Sequence, residues 1–457
     1  MNNISKTKWS QFVFFVRSKG HKKIIAHNTL NNSTVRMTKQ IKDIIDSVIA
    51  ESAANKKIES DLLPLYIKKY IQKLIQLEIL VPLKLDEKAK YLKLFNQNRQ
   101  KKDKTFLITL ITTRSCQLNC PYCFEKGISR KEQLTIETAK KIVLWCQNYL
   151  HQHQDCDKLK VVLSGGEPLL NKEVIKYILP KLNHIAREKQ LLFELDMITN
   201  GELLDIKTLS FLNRYNMKAV QITIDGPKEI HDKRRIRKDG KGTFDKIMQN
   251  IVMAFHLNLL KKVHLGINFD RQNVHLIPAL FDFFAMHHLQ QKIELTFNVI
   301  FPTINEQLNQ KVSHSHFKKF GLSEIESAHQ YLWLCQEAKK RGFNIPPKWQ
   351  FGPLCPATKI HSVVAEPNGD LLKCRHAVGY KEFIFGNISS TSEAYDPNYN
   401  KFGFLKKCLS KGCPLVPLCS GGCRFQAFLS SGSFSKPYCR SKFIEKVNKG
   451  LVQLNFG

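Results

Sequence analysis

Three cysteines, Cys116, Cys120 and Cys123, stand on one short segment, with three residues between the first pair and two between the second. Clustered thiolates are soft ligands that suit iron-sulfur clusters and zinc alike. Three ligands leave one iron of a cubane cluster open, whereas a structural zinc ion wants a fourth ligand close by, and none is obvious here. A second group, Cys355, Cys374, Cys408, Cys413, Cys419, Cys423 and Cys439, lies near the end of the chain, where a zinc ribbon over Cys408 to Cys423 is the alternative to clusters. No apolar run approaches the ~20 residues that span a bilayer, and the first residues build no signal-peptide core. A cytoplasmic location is therefore expected, with no membrane partner. In that reducing compartment thirteen cysteines argue for metal or redox chemistry, not a disulfide framework.

These thiols need elements to hold them. From residue 105 short apolar runs alternate with amphipathic helical stretches, and six strands are expected at Phe106–Ile111, Leu159–Leu163, Leu192–Ile198, Ala219–Ile224, Val263–Asn268 and Ile293–Val299. Repeated strand-helix units predict a parallel α/β barrel or part of one, with chemistry at the carboxyl ends of its strands. Cys116 follows the first strand directly. Ser164 to Pro168 follows the second, where glycines permit close backbone approach and the Glu167 carboxylate could meet an ammonium group. Thr199-Asn200-Gly201 ends the third, Thr223 and Asp225-Gly226 the fourth, and Asn268 the fifth.

Upstream, residues 8–40 read as short strands and turns, with Phe12, Phe14 and Val16 alternating. Ile41, Ile44, Ile45, Val48 and Ile49 fall at helical spacing, as do Leu63, Ile67, Tyr70, Ile71, Leu74 and Ile75, and Ile79 to Val81 suggests a closing strand. A small winged-helix-like module over residues 1–84 follows. Residues 85–104 are charged enough to read as a linker. Beyond Pro346 the helical pattern thins while glycine, proline and cysteine rise, as in a small domain braced by metal. Cys146 and Cys335 read as helix-core residues; Cys156 fits no pattern.

The spacing of Cys116, Cys120 and Cys123, with aromatic Tyr122 before the last, resembles the radical S-adenosylmethionine (SAM) superfamily. The ordered segments after it strengthen the likeness. Gly165, Gly166 and Glu167 are similar to the family's GGEP motif, which binds the cofactor's amino group. Thr199, Asn200, Thr223 and Asp225 lie in segments similar to those contacting its ribose and carboxylate, Asn268 matches a polar position at the same level of related barrels, and His231 to Arg235 resembles the HDxxR segment. The resemblance makes Arg235 a bidentate clamp on the carboxylate and sets Tyr122 beside the adenine. It implies a partial (β/α)6 barrel over residues 105–330. The implied chemistry is entry of an electron from the cluster into the SAM sulfonium, giving methionine and a 5'-deoxyadenosyl radical able to take hydrogen from an unactivated carbon. A low-potential donor such as flavodoxin or ferredoxin would supply that electron.

The late cysteines, with Gly369 between the first two, resemble the SPASM domain over residues 350–457, which carries two auxiliary cubane clusters. By order, Cys408, Cys413, Cys419 and Cys439 would hold the outer one and Cys355, Cys374 and Cys423 the inner. The chain departs from the family in having four residues, not two, between Cys408 and Cys413. The inner set lacks a fourth cysteine, for which His361 or a substrate is the candidate. The amino-terminal module looks like the leader-recognition element of peptide-maturing enzymes, in which an acidic leader would suit a formal net charge of +32. A precursor peptide is accordingly the expected partner, and a thioether or carbon-carbon crosslink the expected product. The rivals are an anaerobic sulfatase-maturating enzyme forming formylglycine, an RNA-modifying radical SAM enzyme, and a zinc-containing nucleic-acid-binding protein; with no RNA-reading signature, nucleic acid is the less favoured partner.

Overall fold

The computed structural model describes residues 6–18, 20, 23–54, 63–100, 104–125, 131–302, 316–349, 355–390, 393–394, 396, 399 and 401–457. Its first elements are β1 (Thr7–Trp9), β2 (Val13–Arg17), β3 (Ile24–Asn28), β4 (Thr34–Met37), α1 (Lys39–Ala53), α2 (Leu65–Gln76) and β5 (Leu80–Pro82). Strands β2, β3 and β4 form an antiparallel sheet. The helical stripes expected from the sequence cover one side of it: Ile45 and Val48 of α1 and Ile67, Ile71 and Leu74 of α2 pack on Ala26, Val35 and Met37. β5 closes the unit by pairing with β1 and does not join the three-stranded sheet.

The stretch expected as a linker contains a helix, α3 (Glu87–Gln100). Its polar and charged residues outnumber its apolar ones, yet Tyr91 and Phe95, one turn apart, are buried with Phe12, Phe404 and Leu405. Tyr91 Oη lies 3.0 Å from Ser420 Oγ, and Glu87 accepts hydrogen bonds from Ser10 Oγ (2.5 Å) and Gln11 N (3.0 Å). An apolar stripe two residues wide escapes a composition test, and these partners lie far away in sequence.

The central unit alternates as predicted: β6 (Thr105–Thr113), α4 (Ile136–Gln152), β7 (Lys158–Gly165), α5 (Lys172–Glu188), β8 (Leu192–Thr199), α6 (Ile206–Asn213), β9 (Met217–Thr223), α7 (Lys228–Arg234), α8 (Phe244–His256), β10 (Val263–Phe269), α9 (Pro278–Met286) and β11 (Ile293–Val299). The six strands β6 to β11 are parallel neighbours in chain order, a partial α/β barrel whose carboxyl ends share one rim. Cys146 on α4 is fully buried in its apolar core.

The remaining elements are α10 (His316–Phe320), α11 (Glu324–Lys340), β12 (Ser362–Ala365), β13 (Asp370–Leu372), β14 (Gly386–Asn387), α12 (Phe404–Ser410), α13 (Val416–Cys419), α14 (Arg424–Ser431) and α15 (Ser441–Phe456). The boundary expected at residue 330 falls inside α11, which starts on a capping box of Ser323 and Glu326 and buries Cys335. β12 pairs parallel to β6 with Ser362 opposite Leu107, and β13 and β14 extend it antiparallel into one nine-stranded sheet. The cysteine-rich region is thus bonded to the edge of the barrel. Among the described residues no helix is long and apolar enough to cross a membrane.

Candidate active site and metal centres

The loop leaving β6 carries Cys116, Cys120 and Cys123, and the end of β7 presses against its start. Gly166 N donates to Thr113 O (3.0 Å) and Glu167 N to Ser115 O (2.9 Å). A Cβ on Gly166 would meet Ser115 O at 2.4 Å, and one on Gly165, whose φ is +130°, would meet Thr113 O at 2.2 Å. The paired glycines therefore let β7 and the cysteine loop pass at backbone contact. Burial, the largest influence, pushes the Cys116 thiol up to about 11. Such a thiol gives up its proton when a cation compensates the charge, which is what a metal ligand does.

Glu167 is fully buried and accepts hydrogen bonds from Thr199 Oγ1 (2.8 and 3.0 Å), Asn200 N (2.8 Å) and Leu169 N (3.1 Å). These donors are neutral, and burial raises the carboxyl above its ordinary range. Asn200 reaches back to the cysteine loop, its Nδ2 3.9 Å from Cys116 Sγ and its Oδ1 3.4 Å from Gln117 Nε2.

Across the rim, Asp225 is fully buried beyond β9 and accepts from Tyr122 Oη, from Arg234 Nε (3.4 Å) and from Asn268 N (3.2 Å). Thr223 lies half-buried at the end of β9, opposite Gly266 of β10. Arg235, the residue after α7, is buried and gives one hydrogen bond from Nη1 to Tyr122 Oη (3.1 Å), while its Nε is buried without a partner. Arg234 was missed by sequence. It is fully buried, its Nη1 bonding both Asp270 oxygens at 3.0 Å and Gln272 Oε1 at 2.8 Å, and its guanidinium sits 4.8 Å from the Tyr122 ring centre. His316 completes this network 2.6 Å from Asp270. Adjacent arginines look alike in a sequence; only their partners separate them. The Arg114 pairing with the buried Glu366, which joins the cysteine loop to the edge sheet, spans 252 residues and carries no sequence signal.

Several late cysteines lie close enough for their charges to act on one another. Cys374 feels the charges of Cys423 and Cys355 and, mainly through burial, has its thiol raised; Cys423 is pushed up to about 12. Cys419 likewise feels Cys413, Cys408 and Cys439. His361 does not stand with the first group. Its Nδ1 is 2.8 Å from Tyr149 Oη, and its carbonyl accepts from Leu107 N at the amino end of β6, the end of the sheet away from the Cys116 loop. The histidine beside that group is His376, with Nδ1 3.9 Å from Cys374 Sγ.

Residues 110–284 match the model of the Radical SAM superfamily. The chain carries a radical SAM domain. The match runs from within β6 into α9 and so contains the cysteine loop and the rim residues from Tyr122 to Gln272, but not His316. Among relatives, this chain is 24% identical over 376 residues to the radical SAM cyclopropyl synthase TigE of Paramaledivibacter caminithermalis, covering 76% of this chain and 72% of that protein. It is 24% identical over 370 residues to the cysteine-type anaerobic sulfatase-maturating enzyme of Clostridium novyi, covering 73% and 92% respectively. Among solved structures, SuiB of Streptococcus suis, bound to the precursor peptide SuiA, matches with a TM-score of 0.52 at 14% identity over 96% of this chain and 100% of that one, a likeness of fold.

The radical SAM family implies a cubane cluster and SAM, and the residues present fit both. Three thiols on one loop suit a cluster with an open iron. A carboxylate buried among neutral donors suits an ammonium group, and a buried guanidinium with an unpartnered Nε suits a carboxylate.

Proposed function

We propose that this protein is a peptide maturase, which cleaves SAM reductively and abstracts hydrogen from a ribosomally synthesised precursor peptide to install a thioether or carbon-carbon crosslink. The observation that carries this is the folded module ahead of the barrel. No strand pairs with the outer edge of β4 among the described residues, and an open strand edge is a surface on which an extended peptide can add. The likeness to SuiB, a protein solved with its precursor peptide, extends over 96% of the chain and so takes in most of this module, whereas the sulfatase-maturating relative covers 73%. An excess of 71 Lys and Arg over 39 Asp and Glu favours an acidic leader.

In this reading Cys116, Cys120 and Cys123 hold the first cluster. When bound, that cluster supplies the electron that splits SAM into methionine and a 5'-deoxyadenosyl radical, with flavodoxin or ferredoxin as the source in a reducing cytoplasm. Glu167 receives the SAM ammonium and is kept aligned by Thr199 and Asn200. Arg235 turns its Nε to the carboxylate, while Asp225, held by Arg234 and Asn268, fixes Tyr122. Cys408, Cys413, Cys419 and Cys439 hold one auxiliary [4Fe-4S] cluster. Cys355, Cys374 and Cys423 hold the other, with His376 at hand.

The test begins with neighbouring genes. A short open reading frame encoding an acidic leader and a repeated Cys or aromatic core is expected. Anaerobic incubation of that peptide with the reconstituted enzyme, SAM and a reductant should yield a product lighter by two hydrogens, seen by mass spectrometry. Formylglycine on a sulfatase peptide instead would overturn the proposal.

A further inference from the structure

A second group of metal-ligating side chains lies at the opposite end of the barrel from the radical SAM site. The chain leaves α4 through His153 and makes a tight turn, Cys156 N donating to His153 O at 3.3 Å, before entering β7. That turn presents His153, Asp155 and Cys156 within four residues. His361, which directly precedes β12, comes up beside it. Ligand atoms of Asp155, Cys156 and His361 all lie within 4.8 Å of one another, and His361 Nε2 stands 3.7 Å from Asp155 Oδ2. That gap is too long for a hydrogen bond. It is close to the separation of two ligand atoms that each sit ~2.0 Å from one tetrahedral ion.

Two further details point to a cation. Tyr149 Oη lies 2.8 Å from Nδ1 of His361, the outer contact that fixes a ligating imidazole and aims its Nε2 at a metal. The His153 ring, 5.1 Å from that of His361 between centres, buries an Nε2 with no partner. A buried histidine that merely completed the core would need neither an acid at 3.7 Å nor a second imidazole with an idle nitrogen.

We infer that Asp155, Cys156 and His361 form a zinc site. One thiolate, one imidazole and one carboxylate are donors zinc accepts in a tetrahedral shell, with water in the fourth position. The ion staples the exit of α4 to the residue just before the strand that bonds the cysteine-rich region to the barrel. It is separate from all ten cysteines of the cluster sites, and its presence does not depend on which peptide the enzyme modifies.

The test uses the full chain, anaerobically reconstituted with iron and sulfide, then equilibrated with Zn2+ and passed over a mild chelating resin. Metal analysis should find about one zinc per chain beside the iron, and absorption at the zinc edge should show one sulfur at ~2.3 Å with nitrogen or oxygen at ~2.0 Å. Cys156→Ser should remove the sulfur scatterer. Because Cys156 is buried, exposed Asp155→Ala is the second variant, expected to keep its iron while losing zinc to the resin at least ten times faster. No retained zinc, a shell made only of sulfur, or equal retention in wild type and both variants would each overturn the inference.

Discussion

The two cysteine regions that face the proposed chemistry are built from different materials. Around Cys116, Cys120 and Cys123 the rim is lined with buried charge: Glu167, Asp225, Arg234, Arg235 and Asp270. Around Cys355, Cys374 and Cys423 the surroundings are Phe383, Phe425, Tyr399 and Val378 together with the buried cations Lys373 and Arg424, and the outer group rests on Phe404, Leu405 and Val416. Burying charge is costly unless each ion is matched. A rim that keeps a carboxylate among neutral donors and a guanidinium with an idle nitrogen is shaped for a zwitterion as well as a metal. Aromatic walls with cations beside the thiols suit an anionic cluster.

The sharpest way to break this contrast is to remove a thiol from each region. Cys116→Ala should abolish formation of 5'-deoxyadenosine, by roughly a thousandfold or more, and lose about four of about twelve irons, as measured by product assay and iron analysis. Cys408→Ala should cost similar iron while leaving cleavage of SAM without peptide within about threefold. Equal loss in both variants would erase the distinction.

Arg235→Ala should weaken SAM binding by about 10- to 100-fold, the worth of a charge-assisted hydrogen-bond pair, in a titration of the reconstituted protein. Glu167 gives a smaller, pH-dependent signature. Its carboxyl is raised by burial, so as pH falls it takes up a proton before an ordinary glutamate does, and the protonated form no longer attracts an ammonium. Affinity for SAM should therefore decline toward acid from neutrality and recover as pH rises, and Glu167→Gln should be weaker throughout and flat with pH. Beside the outer cysteine group Tyr91→Phe should leave SAM binding unchanged and lower stability by about 1 kcal/mol, read by thermal unfolding, through loss of the contact with Ser420.

Much of this arrangement was legible because it is local. Strand periodicity over β6 to β11, the spacing of Cys116, Cys120 and Cys123, and the Gly165-Gly166-Glu167 turn each lie within a few residues, where side-chain period and spacing speak directly. What escaped was set by distance. Tyr91 and Phe95 make a helix of a charged stretch because Phe12 and Phe404 receive them. Arg234 earns its place through Asp225 and Asp270, and His361 was drawn toward the clusters by its position in sequence although the pairing of β12 with β6 carries it to the other end of the sheet.

The most direct test of the account is a single assay of the purified chain, reconstituted anaerobically and reduced in the presence of SAM. About twelve irons per chain and formation of 5'-deoxyadenosine, abolished in Cys116→Ala, are the predicted result. Zinc in place of iron at Cys116, Cys120 and Cys123, with SAM left intact, would contradict it.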